Sequence, residues 1–268
     1  MSIEVVYVAW ALASLVVFRL CRPALAVLIA FLGGWILLPV GVYPADASTV
    51  PFPYWIVGLA LPSDMLLTKA WVAPAAAFLG VLVFDRPALR TFRPTWLDAP
   101  IVLWCLWPIA AAAFAAGPAR PPALVASLYL AGSWGLPWLL GRLYFARPPG
   151  QMLLLAGLAV SSLACLPFSL IEGVMGPTVY GWFYEPHPFR FDGAERYVGF
   201  RPIGFFEHGN QFGLWIALSA LAAVWLALAA PHARRARWAG VAAVLVTMSL
   251  AAQSAGAFFL LLLGAAAL

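Results

Sequence analysis

Long apolar stretches, broken at short intervals by proline, glycine and arginine, set the pattern of this chain. Apolar runs lie at 3–18, 24–42, 66–84, 99–116, 123–145, 152–171, 212–230 and 238–252, and a ninth begins at 257. Such runs approach the roughly 20 residues that carry a helix across a hydrocarbon core. None alternates apolar and polar positions as a lipid-facing barrel strand does, so helices are expected throughout. The pattern therefore predicts an all-α fold, a polytopic transmembrane helical bundle of eight or nine helices, forming one domain over 1–268. The apolar stretch 54–61 is too short to cross and predicts an interfacial or re-entrant segment.

Composition strengthens this picture. Hydrophobic residues make up 65% of the chain and charged residues 9%, with a mean hydropathy of +0.95, whereas soluble domains carry about 25% charged residues. The amino-terminal Met-Ser-Ile-Glu carries an acid where a signal peptide carries basic residues, so the first run is expected to stay as a helix. The run 257–268 is 12 residues long, about 18 Å of helix, too short to cross. The expectation is a copy truncated at its carboxyl end, with a re-entrant helix as the alternative.

Charge adds an orientation. The net charge is +5, but the arginines sit in short clusters between apolar runs, which suits topology signals and anionic-lipid contacts and argues against nucleic acid. Arg19, Arg22, Arg86, Arg90, Arg93, Arg142, Arg147, Arg234, Arg235 and Arg237 fall on one side of the predicted spans. Lys69, Arg120, Arg190, Arg196 and Arg201 fall on the other. By the positive-inside rule the first set is cytoplasmic and the amino terminus lies outside. Lys69, the only lysine, follows Asp64 by five residues at a helix start and is read as snorkelling and capping. Cys21, Cys105 and Cys165 have no CxxC spacing and read as inert packing residues.

Candidate chemistry concentrates in one outer loop, 172–211. It gathers Glu172, Glu185, His187, Arg190, Asp192, Glu195, Arg196, Arg201, Glu207, His208 and Asn210 among many aromatics. Aromatic faces with charged neighbours suit sugars and the membrane interface equally. The sharpest segment runs Arg-Pro-Ile-Gly-Phe-Phe-Glu-His-Gly-Asn-Gln-Phe-Gly over 201–213, just ahead of an apolar run. Arg201 can clamp a phosphate or diphosphate through its planar fork. Glu207 and His208 form a candidate polar site able to take a proton from a hydroxyl. Asn210 and the helix start beside it offer donors to an anion. The plain alternative is that Arg201 snorkels, Glu207 pairs with it, His208 is interfacial and Asn210 caps the helix. Gly209 and Gly213 have small-xxx-small spacing, a weak signal among 22 glycines. No metal-ligand spacing, P-loop or dinucleotide fingerprint is present.

The long outer loop, followed by Arg-x-x-Gly-Phe-Phe-x-His-x-Asn opening a helix, with Leu-Pro-Val-Gly-Val-Tyr early in the chain, resembles the O-antigen ligase and polymerase family. The likeness lies mainly in residues 150–268. It implies a GT-C-like membrane glycosyltransferase of the bacterial inner membrane, with the loop facing the periplasm. Such an enzyme transfers a glycan from undecaprenyl diphosphate to an acceptor hydroxyl in cell-envelope polysaccharide synthesis. It uses neither a metal nor a nucleotide sugar, so no cofactor is expected, and its partners are the undecaprenyl-diphosphate-linked glycan and membrane lipids. Arg201 matches the arginine implied to hold the lipid diphosphate, and Asn210 the asparagine of the same motif. The family's later Ser-Arg-Gly is Ser254-Ala255-Gly256 here, without the arginine. The family's catalytic histidine would lie beyond Leu268, and neither His187 nor His208 matches it, so the catalytic residue is left unassigned. Two readings from other classes stand beside this one: a multi-span permease whose polar residues line a path, and a non-catalytic subunit of an envelope-assembly complex.

Overall fold

A computed structural model describes residues 2–41, 67–114, 123–184, 187, 195–196 and 198–268. The expected segment 54–61, Asp64, Arg120, Glu185, Arg190, Asp192 and part of the early Leu-Pro-Val-Gly-Val-Tyr lie outside the described residues. Among the described residues the regular structure is helical: α1 Ile3–Leu20, α2 Pro23–Leu37, α3 Lys69–Phe84, α4 Trp96–Phe114, α5 Ala123–Tyr144, α6 Pro148–Met175, the short α7 Val179–Phe183, α8 Gly209–Ala229, α9 His232–Ala251 and α10 Ala255–Ala266, with a further single turn of helix, Arg86–Arg90, between α3 and α4. Each expected apolar run overlaps one of these helices. Five of them, α1, α4, α5, α6 and α8, are long and apolar enough to cross a membrane, as expected of an integral membrane protein.

Several helices start ahead of the apolar runs they contain, for a physical reason. An apolar count stops at the first charge, whereas a helix carries on as long as its backbone bonds close. Thus α9 starts at His232 and takes in Arg234, Arg235 and Arg237, and α6 starts at Pro148, where a proline costs nothing because the first N–H groups have no partner anyway. Helices α2 and α5 each widen into a π-type turn, Ile29–Gly33 and Ala131–Gly135.

The chain divides into two compact units. One comprises 3–35 and 41–147. Within it α1 and α3 pack closely because Gly80 admits the Phe18 ring; a Cβ at Gly80 would sit 2.2 Å from Phe18 Cδ2. Trp10 reaches across to α2, where its indole N–H donates to the Ala30 carbonyl at 3.1 Å, and Gly33 and Gly34 leave room for its ring. Helix α4 presents Val102, Leu103, Leu106 and Trp107 outward, a surface suited to lipid rather than water.

Lys69 departs from expectation. It does not snorkel; it is fully buried. Its ammonium donates to the Trp35 carbonyl at 3.0 Å and stands 5.7 Å from the centre of the Trp35 ring, a polar and a cation–π partner in place of water. Thr68 occupies the N-cap position of α3.

The other unit comprises 1–2, 36–40 and 148–268. Its centre is α8: 56% of its apolar window is buried, against 11% for α4. Small residues make this possible. Ser162 of α6 donates its hydroxyl to Ser219 of α8 at 2.7 Å, an interhelical bond suited to a lipid-embedded contact. Gly213 lets α8 approach the start of α10, since a Cβ there would meet Ser254 Cβ at 2.6 Å, and Gly264 of α10 accepts Leu221 in the same way.

Placing leucine at Gly80 must push the Phe18 ring, and with it α1, off α3. Gly80→Leu is expected to cost about 1–3 kcal/mol, read as a lowered thermal midpoint of the detergent-solubilised protein, whereas leucine at the unobstructed Gly240 should have a much smaller effect.

Candidate functional site

The polar segment is placed by a buried carboxylate. Glu172, fully buried in the last turns of α6, accepts three backbone N–H bonds. Oε1 takes Val179 N–H at 3.1 Å, and Oε2 takes Ile203 N–H at 2.7 Å and Gly204 N–H at 2.6 Å. The sequence places Glu172 at the mouth of the loop among reactive groups; the structure puts it inside a helix as the acceptor that orders the loop. Helix α6 extends to Met175 and α8 starts at Gly209, so both margins of the expected 172–211 loop belong to helices, and the short α7 lies within it.

Three glycines then shape the path. Gly176, Gly199 and Gly204 all have positive φ, which glycine adopts at little cost. At Gly199 any side chain would strike the Gly173 carbonyl oxygen at 2.4 Å. That carbonyl and its neighbour secure the loop: Gly173 C=O accepts Phe200 N–H, and Gly199 C=O accepts Arg196 N–H.

Arg201 follows directly and is 9% exposed. Its side chain lies along Gly209, the first residue of α8, where a Cβ would sit 2.1 Å from Arg201 Cδ. One Nη donates to the Gln253 carbonyl at 2.8 Å. The Nε–H is buried without an acceptor, an unmet donor of the kind that calls for a ligand or water. No ion pair among the described residues involves Arg201 or Arg196. Burial, then repulsion from Arg196, lowers the pKa of the Arg201 guanidinium from its ordinary value.

The Gln253 carbonyl is aimed by an uncommon backbone. Gln253, at the corner between α9 and α10, is the one non-glycine with positive φ among the described residues, at 48°. Its side-chain amide donates to the Val198 carbonyl at 2.7 Å, so the corner is tied to the loop on two sides. Sequence reasoning missed Gln253, because its contribution is a main-chain oxygen. The available signal was the polar pair Gln253-Ser254 interrupting an apolar run.

Asn210 reaches the same corner. The Ser254 hydroxyl donates to Asn210 Oδ1 at 3.3 Å, although Ser254 stands at the N-cap of α10, where such a side chain would ordinarily serve its own helix. The NH2 of the exposed Asn210 has no partner among the described residues. The structure thus brings Arg201 and Asn210 together around residues 253–254.

The rest of the polar set does other work. His208 caps α8: its Nδ1 accepts Asn210 N–H at 3.1 Å, which requires the neutral ring protonated at Nε2. Burial, then Arg201 and Arg196, lowers its pKa below 6.5. Glu207 is 2% exposed, and its backbone N–H donates to Gln211 Oε1 at 3.1 Å. His187 Nε2 stands 3.0 Å from the Phe206 carbonyl and its ring lies edge-on to Tyr180, with centroids 4.6 Å apart. The aromatics largely pack on one another. Phe205 sits among Phe168, Tyr180, Phe183 and Tyr184, while Trp182 and Phe183 remain more than half exposed. Burial raises the Tyr180 hydroxyl to about 12, keeping it neutral. Among the described residues no three His, Cys, Asp or Glu side chains converge as metal ligands would.

No family model, curated protein or solved structure matches this chain.

Two outcomes follow from this geometry. Glu172→Gln retains an oxygen for Ile203 and Gly204 but turns an NH2 toward Val179 N–H, so it is expected to cost about 1.5–3 kcal/mol, the range for a bond to a charged group, seen as a lower thermal midpoint. His208 has its folded pKa below its unfolded value, so the cap is intact above pH 6.5 and is lost as pH falls through the folded pKa. Melting curves between pH 7.5 and 5 (about 1 kcal/mol at a cap) should decline for the wild type and less so for His208→Asn, which caps without titrating.

Proposed function

We propose that this chain is an O-antigen ligase-like membrane protein that binds undecaprenyl-diphosphate-linked glycan, its diphosphate held by Arg201 and Asn210. The observation that carries the reading is Arg201 itself: buried, unpaired with any carboxylate among the described residues, anchored through one Nη by the Gln253 carbonyl, and left with an unmet Nε–H. A buried guanidinium without a counter-charge is costly, and an anion would offset that cost. Arg196 adds positive charge close enough to act on both Arg201 and His208, and Asn210 offers an unused NH2 at the start of α8, the helix end that favours negative charge.

On this reading the reaction is displacement at the anomeric carbon. The bond from that carbon to the diphosphate oxygen breaks, a bond to the acceptor oxygen forms, and the acceptor proton passes to a base. Arg201 stabilises the charge that grows on the departing diphosphate, where fixed donors lower a barrier most. His208 is not given the role of base, because its Nδ1 is committed to the cap, and His187 is not, because its Nε2 faces a carbonyl. The remaining features of the proposal are a GT-C-like bundle of eight or nine spans in a bacterial inner membrane, with residues 176–208 facing the periplasm. The distribution of arginines between alternate loops supports that orientation.

The test is binding and transfer with Arg201 changed. Arg201→Gln is expected to weaken binding of undecaprenyl diphosphate by the purified chain about tenfold or more, with Arg201→Lys in between because it keeps the charge and loses the fork. Transfer of surface polysaccharide should fall in cells carrying the same variant. Unchanged affinity and unchanged transfer would overturn the assignment, and binding with transbilayer movement but no transfer would favour a permease.

A further inference from the structure

The unit formed by 3–35 and 41–147 holds a second concentration of arginine, unrelated to Arg201. The stretch 90–95, between α3 and α4, and the end of α5 with the residues after it form a recess of about 850 Å³ lined by Arg90, Arg93, Arg142 and Arg147, with Thr91, Thr95 and Tyr144. Only one of the four arginines has an acidic partner among the described residues: Arg142 pairs with Asp98 at 3.1 Å. Asp98 is itself engaged by Thr95 N–H at 2.7 Å and the Trp138 indole N–H at 2.8 Å. The other nearby acid, Asp85, accepts the Tyr144 hydroxyl at 2.8 Å. Arg90, Arg93 and Arg147 are exposed and paired with no carboxylate among the described residues. Like charges around one recess repel, and a multiply charged anion between them would relieve that repulsion.

Two further observations narrow the anion. Beside the recess, Trp96 is 82% exposed and Leu97 is exposed as well, the amphipathic rim that marks the headgroup level of a bilayer. An apolar groove of about 410 Å³ runs along the same helices α3 and α5, lined among others by Phe78, Leu79, Leu82, Leu128 and Leu136. Leu82 precedes Arg86 by one helical turn, and Leu136 lies six residues before Arg142, about 9 Å along α5. A phosphate at the helix ends and a hydrocarbon chain along the helices is the layout of a glycerophospholipid.

We infer that this unit carries a binding site for an anionic phospholipid, its phosphate between Arg90, Arg93 and Arg147 and an acyl chain in the groove between α3 and α5. Arg142, held by Asp98, shapes the recess, and the three exposed arginines supply the charge. Arginine suits this task because its planar fork meets phosphate oxygens in pairs.

The test uses the full chain in phosphatidylcholine nanodiscs doped with cardiolipin or phosphatidylglycerol, with lipid that survives detergent extraction measured by mass spectrometry. Anionic lipid is expected to be retained over phosphatidylcholine. The triple variant Arg90→Gln, Arg93→Gln, Arg147→Gln should lose that preference by on the order of a hundredfold, from roughly fivefold per arginine near an anionic headgroup. All three side chains are exposed, so the variant should keep the elution volume and tryptophan emission of the wild type. Ala131→Phe, which fills the groove, should lower retention with the arginines intact. Equal retention of both lipid classes, or a triple variant that behaves as wild type, would overturn the site. Displacement of the lipid by inorganic pyrophosphate at matched concentration would overturn the lipid in favour of a soluble phosphate, and retention unaffected by Ala131→Phe would overturn the acyl-chain seat.

Discussion

The polar face of the carboxyl-terminal unit depends on one carboxylate. Glu172 gathers three backbone N–H groups from two separate stretches, 179 and 203–204, onto a single side chain at the end of α6. Those amides lie at a helix start and in irregular backbone, where no regular ladder satisfies them, and their burial makes water a poor substitute. Charge-assisted acceptance stabilises the path more than neutral bonds would. Once 203–204 is fixed, Arg201 stands two residues upstream and His208 four downstream. The entry of α8 follows, with its glycine against the Arg201 stem. Arg201 is thus positioned by a residue it does not touch.

That dependence explains which parts of the structure were legible beforehand. Helices announced themselves because uniformly apolar runs have few alternatives in a bilayer, and every run expected from composition overlaps a helix. Their ends were less legible, because charges such as Arg234 to Arg237 extend α9 on hydrogen bonds that an apolar count does not register. Arg201 and Asn210 stood out as polar residues beside an apolar run, and they do share a corner. Gln253 could not be read that way, since the group it contributes is a carbonyl oxygen aimed by a positive φ. Lys69 misled for a related reason. A lone lysine at a helix start suggests an ammonium reaching for water, whereas here a carbonyl and an indole face from α2 satisfy it internally, and tertiary partners of that kind leave no local trace in sequence.

At several helix contacts among the described residues, glycine serves as space. Gly80, Gly209 and Gly213 are helical and need no unusual backbone; each is small because a ring, a guanidinium stem or a neighbouring helix occupies the place of its Cβ. The Gly209 and Gly213 pair carries only a weak signal as a motif, yet its two members have separate tasks. One admits Arg201, and the other admits α10 at Ser254 and Ala257. Close approach is what binds helices where no hydrophobic driving force separates them from lipid. The same small residues therefore hold the unit together and bring Arg201, Asn210 and Ser254 within reach of one another.

The two arginine sites use the same chemistry under opposite constraints. Around the recess formed by 90–95 and the end of α5 the guanidinium groups stay mostly exposed, so water screens their repulsion and an anion would gain from several modest attractions. Arg201 is buried, and a single unmet Nε–H there outweighs several solvated ones because the surroundings screen it poorly. The Gln253 carbonyl satisfies only one of its five N–H donors. The fork that remains is buried and held in place, so the diphosphate proposed for it would meet a group whose ordering cost is largely borne by the Glu172 scaffold and by the corner at Gln253.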